Sequence, residues 1–141
     1  MTSSIQPGAS LNDWIRHAAH RLKASGLFYG HGTDNADDEA LELVLAACGL
    51  DYSIDESLLE QTASSEQAGI IEDYLQQRMV QRRPTPYITG RAWFFGLPFH
   101  VDERVLIPRS PVAELIDNGF YPWLNHEPRR ILDLCAGSGC I

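Results

Sequence analysis

The sequence predicts a mainly α-helical N-terminal domain, a β-hairpin linker, and then the first strand and glycine turn of an α/β domain. Three observations carry this. Apolar residues recur at helical three-and-four spacing up to about residue 83, short aromatic and β-branched runs replace them there, and a glycine-rich turn follows an apolar run near the C-terminal end. The predicted boundaries are 1–83 for the helical domain, 84–107 for the linker and 108–141 for the start of the α/β domain.

The first helix is read from Leu11, Trp14, Ile15, Ala18, Ala19 and Leu22, which share one face. Ser10 with Asp13 three residues on has the spacing of a capping box, and Gly26 is a natural stop. Residues 27–36 are turn-rich. A second helix is predicted from Asp37 to Cys48, with three acids in its first turn, where the helix dipole favours them, and Gly49 just past its end. A helical turn follows Asp55. The third helix starts near Ser64 or Ser65, presents Ile70, Ile71, Tyr74, Leu75 and Met79, and runs to Arg82 and Arg83, where Pro84 and Pro86 stop it.

Short strands are predicted at Tyr87–Thr89, Arg91–Phe95, Phe99–Val101 and Arg104–Ile107, with Gly96-Leu-Pro98 as the hairpin turn. Ser110 as N-cap and Pro111 at the first helical position open another helix, which Gly119 closes. Arg130-Ile-Leu-Asp-Leu134 is then a buried strand that feeds the turn Cys135-Ala-Gly-Ser-Gly139.

Composition narrows the function classes. Of 141 residues, 44% are hydrophobic and 21% charged, the balance of a packed globular chain. No run is long and apolar enough to span a bilayer, and the N-terminus lacks the pattern of a secretion signal, so a cytoplasmic protein without membrane association is expected. Three cysteines without C-x-x-C spacing favour reduced thiols over a disulfide framework or a zinc site. His31 and Cys48 are too isolated to be metal ligands, and His17 and His20 read as solvated positions on the first helix. The net charge of −8 is concentrated in residues 1–75, with 13 acidic and 3 basic side chains. Such a field disfavours direct binding to DNA and favours a basic partner.

The chemistry-bearing motif is Ile131-Leu-Asp133-Leu-Cys135-Ala-Gly137-Ser-Gly139. Glycines after a buried strand let backbone approach a ligand, and a carboxylate at the strand end can hold an amine or a ribose hydroxyl. It is no Walker loop, since Gly-Lys-Ser/Thr is missing, and no full G-x-G-x-x-G is present. The spacing Asp-x-x-x-Gly-x-Gly resembles the first motif of S-adenosylmethionine-dependent methyltransferases. Together with Tyr87-Ile-Thr-Gly90, Trp93-Phe-Phe-Gly96 and Phe99-His-Val-Asp-Glu-Arg-Val-Leu-Ile-Pro-Arg109, the chain resembles the HemK-like protein-glutamine methyltransferases. In that family a helical domain recognises the substrate protein, a hairpin links the domains, and a Rossmann-like domain binds S-adenosyl-L-methionine.

The resemblance implies roles residue by residue. Asp133, Cys135, Ala136, Gly137, Ser138 and Gly139 would be cofactor-binding, and Arg109 would border the active site unless it only pairs with Glu114. Trp93, Phe94, Phe95 and Phe99 are expected as hairpin core, and Arg82-Arg83 as a complement to the end of the third helix. Cys135 in place of glycine, Pro108-Arg-Ser-Pro-Val-Ala-Glu114 and Tyr29-Gly-His-Gly-Thr-Asp34 resemble the branch acting on large-subunit ribosomal protein L-three. The alternatives are the branch acting on peptide chain release factors and, in another class, a non-catalytic acidic module that binds a basic ribosomal partner. The family's Asn-Pro-Pro-Tyr, which holds the substrate amide, is absent from the sequence. The resemblance therefore implies an N-terminal fragment with no catalytic residue of its own and no activity alone. Ile131, Leu132, Leu134 and Ile141, left without neighbours, would favour dimerisation.

Overall fold

The computed structural model of the protein describes residues 5, 8–30, 32–137 and 139–140. They form two compact units, Met1–Thr89 and Gly90–Ile141.

The first unit is helical. Helix α1 (Leu11–Ala24) starts at a complete capping box: the Asp13 N–H donates to Ser10 Oγ at 3.1 Å, and the Ser10 N–H donates back to Asp13 Oδ2 at 3.1 Å. Helix α2 (Ala36–Ala47) is capped by Asn35, whose Oδ1 accepts from the Asp37 and Asp38 N–H groups. Asp55 caps a 3₁₀ turn at Glu56–Glu60. Ser64 and Gln67 form a second capping box at the start of helix α3 (Ser65–Met79). A short helix, α4 (Thr85–Thr89), ends the unit.

Helix α2 is the hub, packed by α1, α3 and α4, and it is buried on most of its circumference as a central helix must be. Leu22, Leu43, Val44, Ile71 and Leu75 are fully buried there. The predicted face of α1 holds, with Leu11, Trp14, Ala18, Ala19 and Leu22 inside. Two ladder bonds, Leu11 N–H to Gln61 O and Ala63 N–H to Ala9 O, tie the entry of α1 to the entry of α3.

Three local expectations are corrected. Helix α3 ends at Met79 rather than Arg83, and Arg82 sits at φ +58°. Tyr87–Thr89 is helical, not extended: Pro86 lies in the first turn of α4, where a missing N–H costs nothing, and the Tyr87 and Ile88 N–H groups donate to Pro84 O. His17 is not solvated, because its side chain is 16% exposed and packs edge-on against Trp14 at 5.8 Å between ring centroids.

The second unit holds an antiparallel hairpin, β1 (Arg91–Phe94) and β2 (Leu97–His100), in the register Arg91 to His100 and Phe94 to Leu97. The turn is Phe95-Gly96, with both φ values positive, the pattern of a type I′ connection, rather than Gly96-Leu-Pro98. Ala92 and Phe94 are buried, Phe94 meets Phe99 in a T-shaped contact at 6.4 Å, and the Arg91 guanidinium lies 5.6 Å from the Trp93 ring centre. Phe95 is 55% exposed and so is not part of a hairpin core. Helix α5 (Val112–Asp117) begins one residue later than expected, with Pro111 rather than Ser110 at the N-cap, although Ser110 Oγ accepts from the Val112 N–H, and Gly119 follows its end at φ +59°.

Besides Tyr87–Thr89, two predicted strands are not formed. At 104–107 the Asp102 carboxylate accepts the Arg104 N–H and the Asp102 carbonyl accepts the Val105 N–H, so side chain and turn take the donors a ladder would use. At 130–134 the backbone is irregular, with Ile131, Leu132 and Leu134 between 74% and 81% exposed. A strand exists only against a partner, and among the described residues the one strand pair is β1 with β2. No described helix is long and apolar enough to cross a membrane.

Candidate functional site

The predicted cofactor segment is an exposed turn. Cys135, Gly137 and Gly139 all take positive φ, +61°, +58° and +72°, and the Gly139 N–H donates to Ala136 O at 2.8 Å. Cys135 thus adopts a conformation that glycine holds without strain and a cysteine does not. A Cβ added at Gly139 would meet nothing within 4 Å, so the turn has open space on that side. Asp133 and Ala136 are exposed as well, and Ser138 and Ile141 lie outside the described residues.

Gly137 lines a cavity of about 410 Å³ together with His100, Asp102, Arg104 and Val105. Arg104 grips Asp102 through Nε at 3.0 Å and Nη2 at 2.5 Å, and these bonds hold the Asp102 carboxyl down at about 2. The cavity wall therefore presents a matched ion pair rather than a bare charge. Arg109 lies elsewhere, exposed and without an ion pair to Glu114. The structure brings the glycine turn to the 100–105 segment, not to Arg109.

Sequence reasoning missed a buried polar network in the helical unit. Arg78 Nε donates to Glu39 Oε1 at 2.9 Å, Thr85 Oγ1 donates to the same oxygen at 2.5 Å, and Arg78 Nη2 donates to Phe28 O at 2.9 Å. Glu39, Arg78 and Thr85 are all less than 5% exposed. The signal was legible: Glu39 lies three residues from Ala36 and four from Leu43 on the apolar face of α2, and Arg78 three from Leu75 on that of α3. Burial holds the Tyr29 hydroxyl above the usual tyrosine range, with the nearby Glu39 carboxylate adding to it.

The network fixes the 25–30 segment in place. Arg82 Nη1 also donates to Ser25 O at 3.1 Å, so it serves the end of α1 and not that of α3. Arg83 does stay with α3, bonding Gln77. Beside this segment a groove of about 340 Å³ is lined by Leu27, Tyr29 and Ala36 with Lys23, Asp34 and Asn35. Phe28, between two of these residues, is 81% exposed. His31 lies outside the described residues. Cys48 closes α2 beside the core, where burial pushes its thiol up, and no metal-binding cluster occurs among the described residues.

The chain is similar to proteins named as glutamine methyltransferases, the class that the sequence resemblance pointed to. The relatives in question are named ribosomal protein uL3 glutamine methyltransferase. The one from Francisella tularensis subsp. tularensis is 45% identical over 134 residues, which is 94% of this chain and 43% of that protein. The one from Bordetella pertussis is 42% identical over 134 residues, 94% of this chain and 45% of the relative. That from Xanthomonas campestris pv. campestris is 45% identical over 130 residues, 92% of this chain and 42% of the relative. The chain thus spans less than half the length of the relatives it matches. No family model matches it.

Proposed function

We propose that the protein is an S-adenosylmethionine-dependent methyltransferase that modifies the side-chain amide of a glutamine in ribosomal protein uL3, and that these 141 residues supply substrate recognition and part of the cofactor site. The observation that carries this reading is the 42–45% identity over 92–94% of the chain to proteins named for that activity. The extent of the match matters more than any one motif. At 92–94% of the chain the match extends over most of both compact units.

S-adenosyl-L-methionine, when bound, supplies an electrophilic methyl group. The residues of the turn fit such a ligand: three positive-φ positions in five residues make a backbone loop with little side-chain cover, and Gly137 already lines a cavity of about 410 Å³. Gly137 and Gly139 would let the backbone close on the ligand, and the Asp133 carboxylate would accept from an amine or hydroxyl. An amide nitrogen is a poor nucleophile because its lone pair is delocalised into the carbonyl. Polarising it calls for acceptors beside the N–H groups, and the Asn-Pro-Pro-Tyr that supplies them in the family does not occur in these residues. The chain alone is therefore inactive, and the helical unit is a recognition element in the cytoplasm.

Mass spectrometry of purified uL3 after incubation with S-adenosylmethionine tests this. The whole protein is expected to add one methyl to a glutamine of uL3 and none to a release factor, while the 141-residue chain adds none. Methylation of the release factor instead would move the assignment to the other branch, and methyl transfer by the 141-residue chain would overturn the division of labour.

A further inference from the structure

We infer that the groove between the end of α1 and the start of α2, together with the exposed Phe28 that the chain carries between its lining residues Leu27 and Tyr29, is the docking site for a lysine or arginine side chain on the basic protein substrate. This inference rests on the reading above and names the surface that performs the recognition.

Phe28 is displayed, not merely left over. Its neighbours Leu27 and Tyr29 pack against the core, while Phe28 itself is 81% exposed. The backbone that carries it is fixed at each step: Ser25 O accepts from Arg82, Phe28 O accepts from the buried Arg78, and the Gly30 N–H donates to Thr33 O at 2.9 Å. A large apolar side chain held rigidly in water is the usual anchor of a protein interface, since little entropy is lost when a partner covers it.

The groove fits a long side chain with an apolar stem and a cationic head. A volume of about 340 Å³ is too small for a folded element and ample for one lysine or arginine. Leu27, Tyr29 and Ala36 give it apolar walls. Of its two charged residues, Lys23 is already neutralised by Asp37 at 2.8 Å. Asp34 is exposed and bonds no other described residue, so its carboxylate is the charge on offer. The positive end of α2 lies close by, but Asn35 Oδ1 already accepts its first N–H groups, and Asp37 and Asp38 offset the dipole.

Charge on the larger scale selects the partner. Residues 1–89 carry 13 acidic and 6 basic side chains, a balance of −7, and three of the basic ones, Arg21, Lys23 and Arg78, are bound to Glu72, Asp37 and Glu39. This field attracts a basic protein segment and repels nucleic acid.

The test is titration of the 141-residue chain with purified ribosomal protein uL3, with far-UV circular dichroism reporting the fold of each variant. Phe28→Ala is expected to weaken binding about tenfold or more, and Asp34→Asn about threefold to tenfold with a shallower salt dependence. Asp34→Lys should weaken it further, while Glu66→Gln on α3, away from the groove, should leave it within about twofold. Should Phe28→Ala lose helicity, Asp34→Lys carries the test, because Asp34 is exposed. Wild-type binding to uL3 that neither Phe28→Ala nor Asp34→Lys changes would overturn the docking site and leave the substrate reading standing. No binding of uL3 by the wild type would overturn that reading and this inference with it. RNA binding that Asp34→Lys strengthens, with uL3 binding unchanged, would also overturn it.

Discussion

At the residue scale the most consequential side chain is Glu39, which neutralises one buried cation and accepts from two donors at a single oxygen. Removing it leaves Arg78 charged and unpaired in the core, and breaking a buried pair from one side typically costs about 3–5 kcal/mol. Glu39→Ala is therefore expected to lower the urea midpoint of the helical unit strongly, with Thr85→Val costing less. A midpoint shift equal to that of a surface mutation would show the pair to be dispensable. His17 makes a second residue-level prediction. Burial first, then Arg21, holds its imidazole below the ordinary range, while Glu72 pulls the other way. A histidine with a lowered folded value contributes stability that is full above its unfolded pKa and is lost as pH falls through the folded one. The urea midpoint should thus drop as pH falls below about 6.5, and His17→Gln should flatten that step.

At the element scale, Phe95 occupies a turn position with φ +49° where asparagine or glycine is preferred, and it is 55% exposed, so little packing is lost on replacing it. Phe95→Asn should stabilise the hairpin by about 1 kcal/mol, read as a rise in thermal midpoint monitored by Trp93 fluorescence. Loss of the hairpin signal would show that Phe95 has a packing role. Helix starts were the most legible part of the sequence. Ser10-x-x-Asp13 marked its capping box by spacing alone, the box of Ser64 and Gln67 was found only in the structure, and replacing either serine with alanine is expected to cost about 1 kcal/mol. Strands were the least legible, for a physical reason. A helix closes its hydrogen bonds within itself, so a local pattern suffices, whereas Arg104–Ile107 and Ile131–Leu134 have strand composition without a strand to pair with. Composition also misread Tyr87–Thr89, where two prolines preset the backbone of a first helical turn instead of forbidding it. The glycine turn was readable as a motif because Gly137 and Gly139 mark positive φ, but its neighbours were not. Which segment faces Gly137 depends on how residues 100–105 turn back, and that is set by the bond from Arg104 to Asp102 rather than by any periodicity.

At the scale of the whole molecule, charge and apolar exposure point to different behaviours. The acidic surface of the helical unit suits a basic protein partner. Ile131, Leu132 and Leu134, each more than 70% exposed, suit self-association, and we propose that the 141-residue chain dimerises or aggregates through them. Sedimentation velocity should show a concentration-dependent species that Leu132→Asp removes, and a monomer at every concentration would refute this. The central claim is that this chain recognises one ribosomal protein. It is tested most directly by titrating the chain, at several salt concentrations, with purified uL3 and in parallel with a peptide chain release factor. Binding to uL3 that weakens as salt rises, with no binding to the release factor, is the predicted result; equal binding to both, or none to uL3, would contradict it.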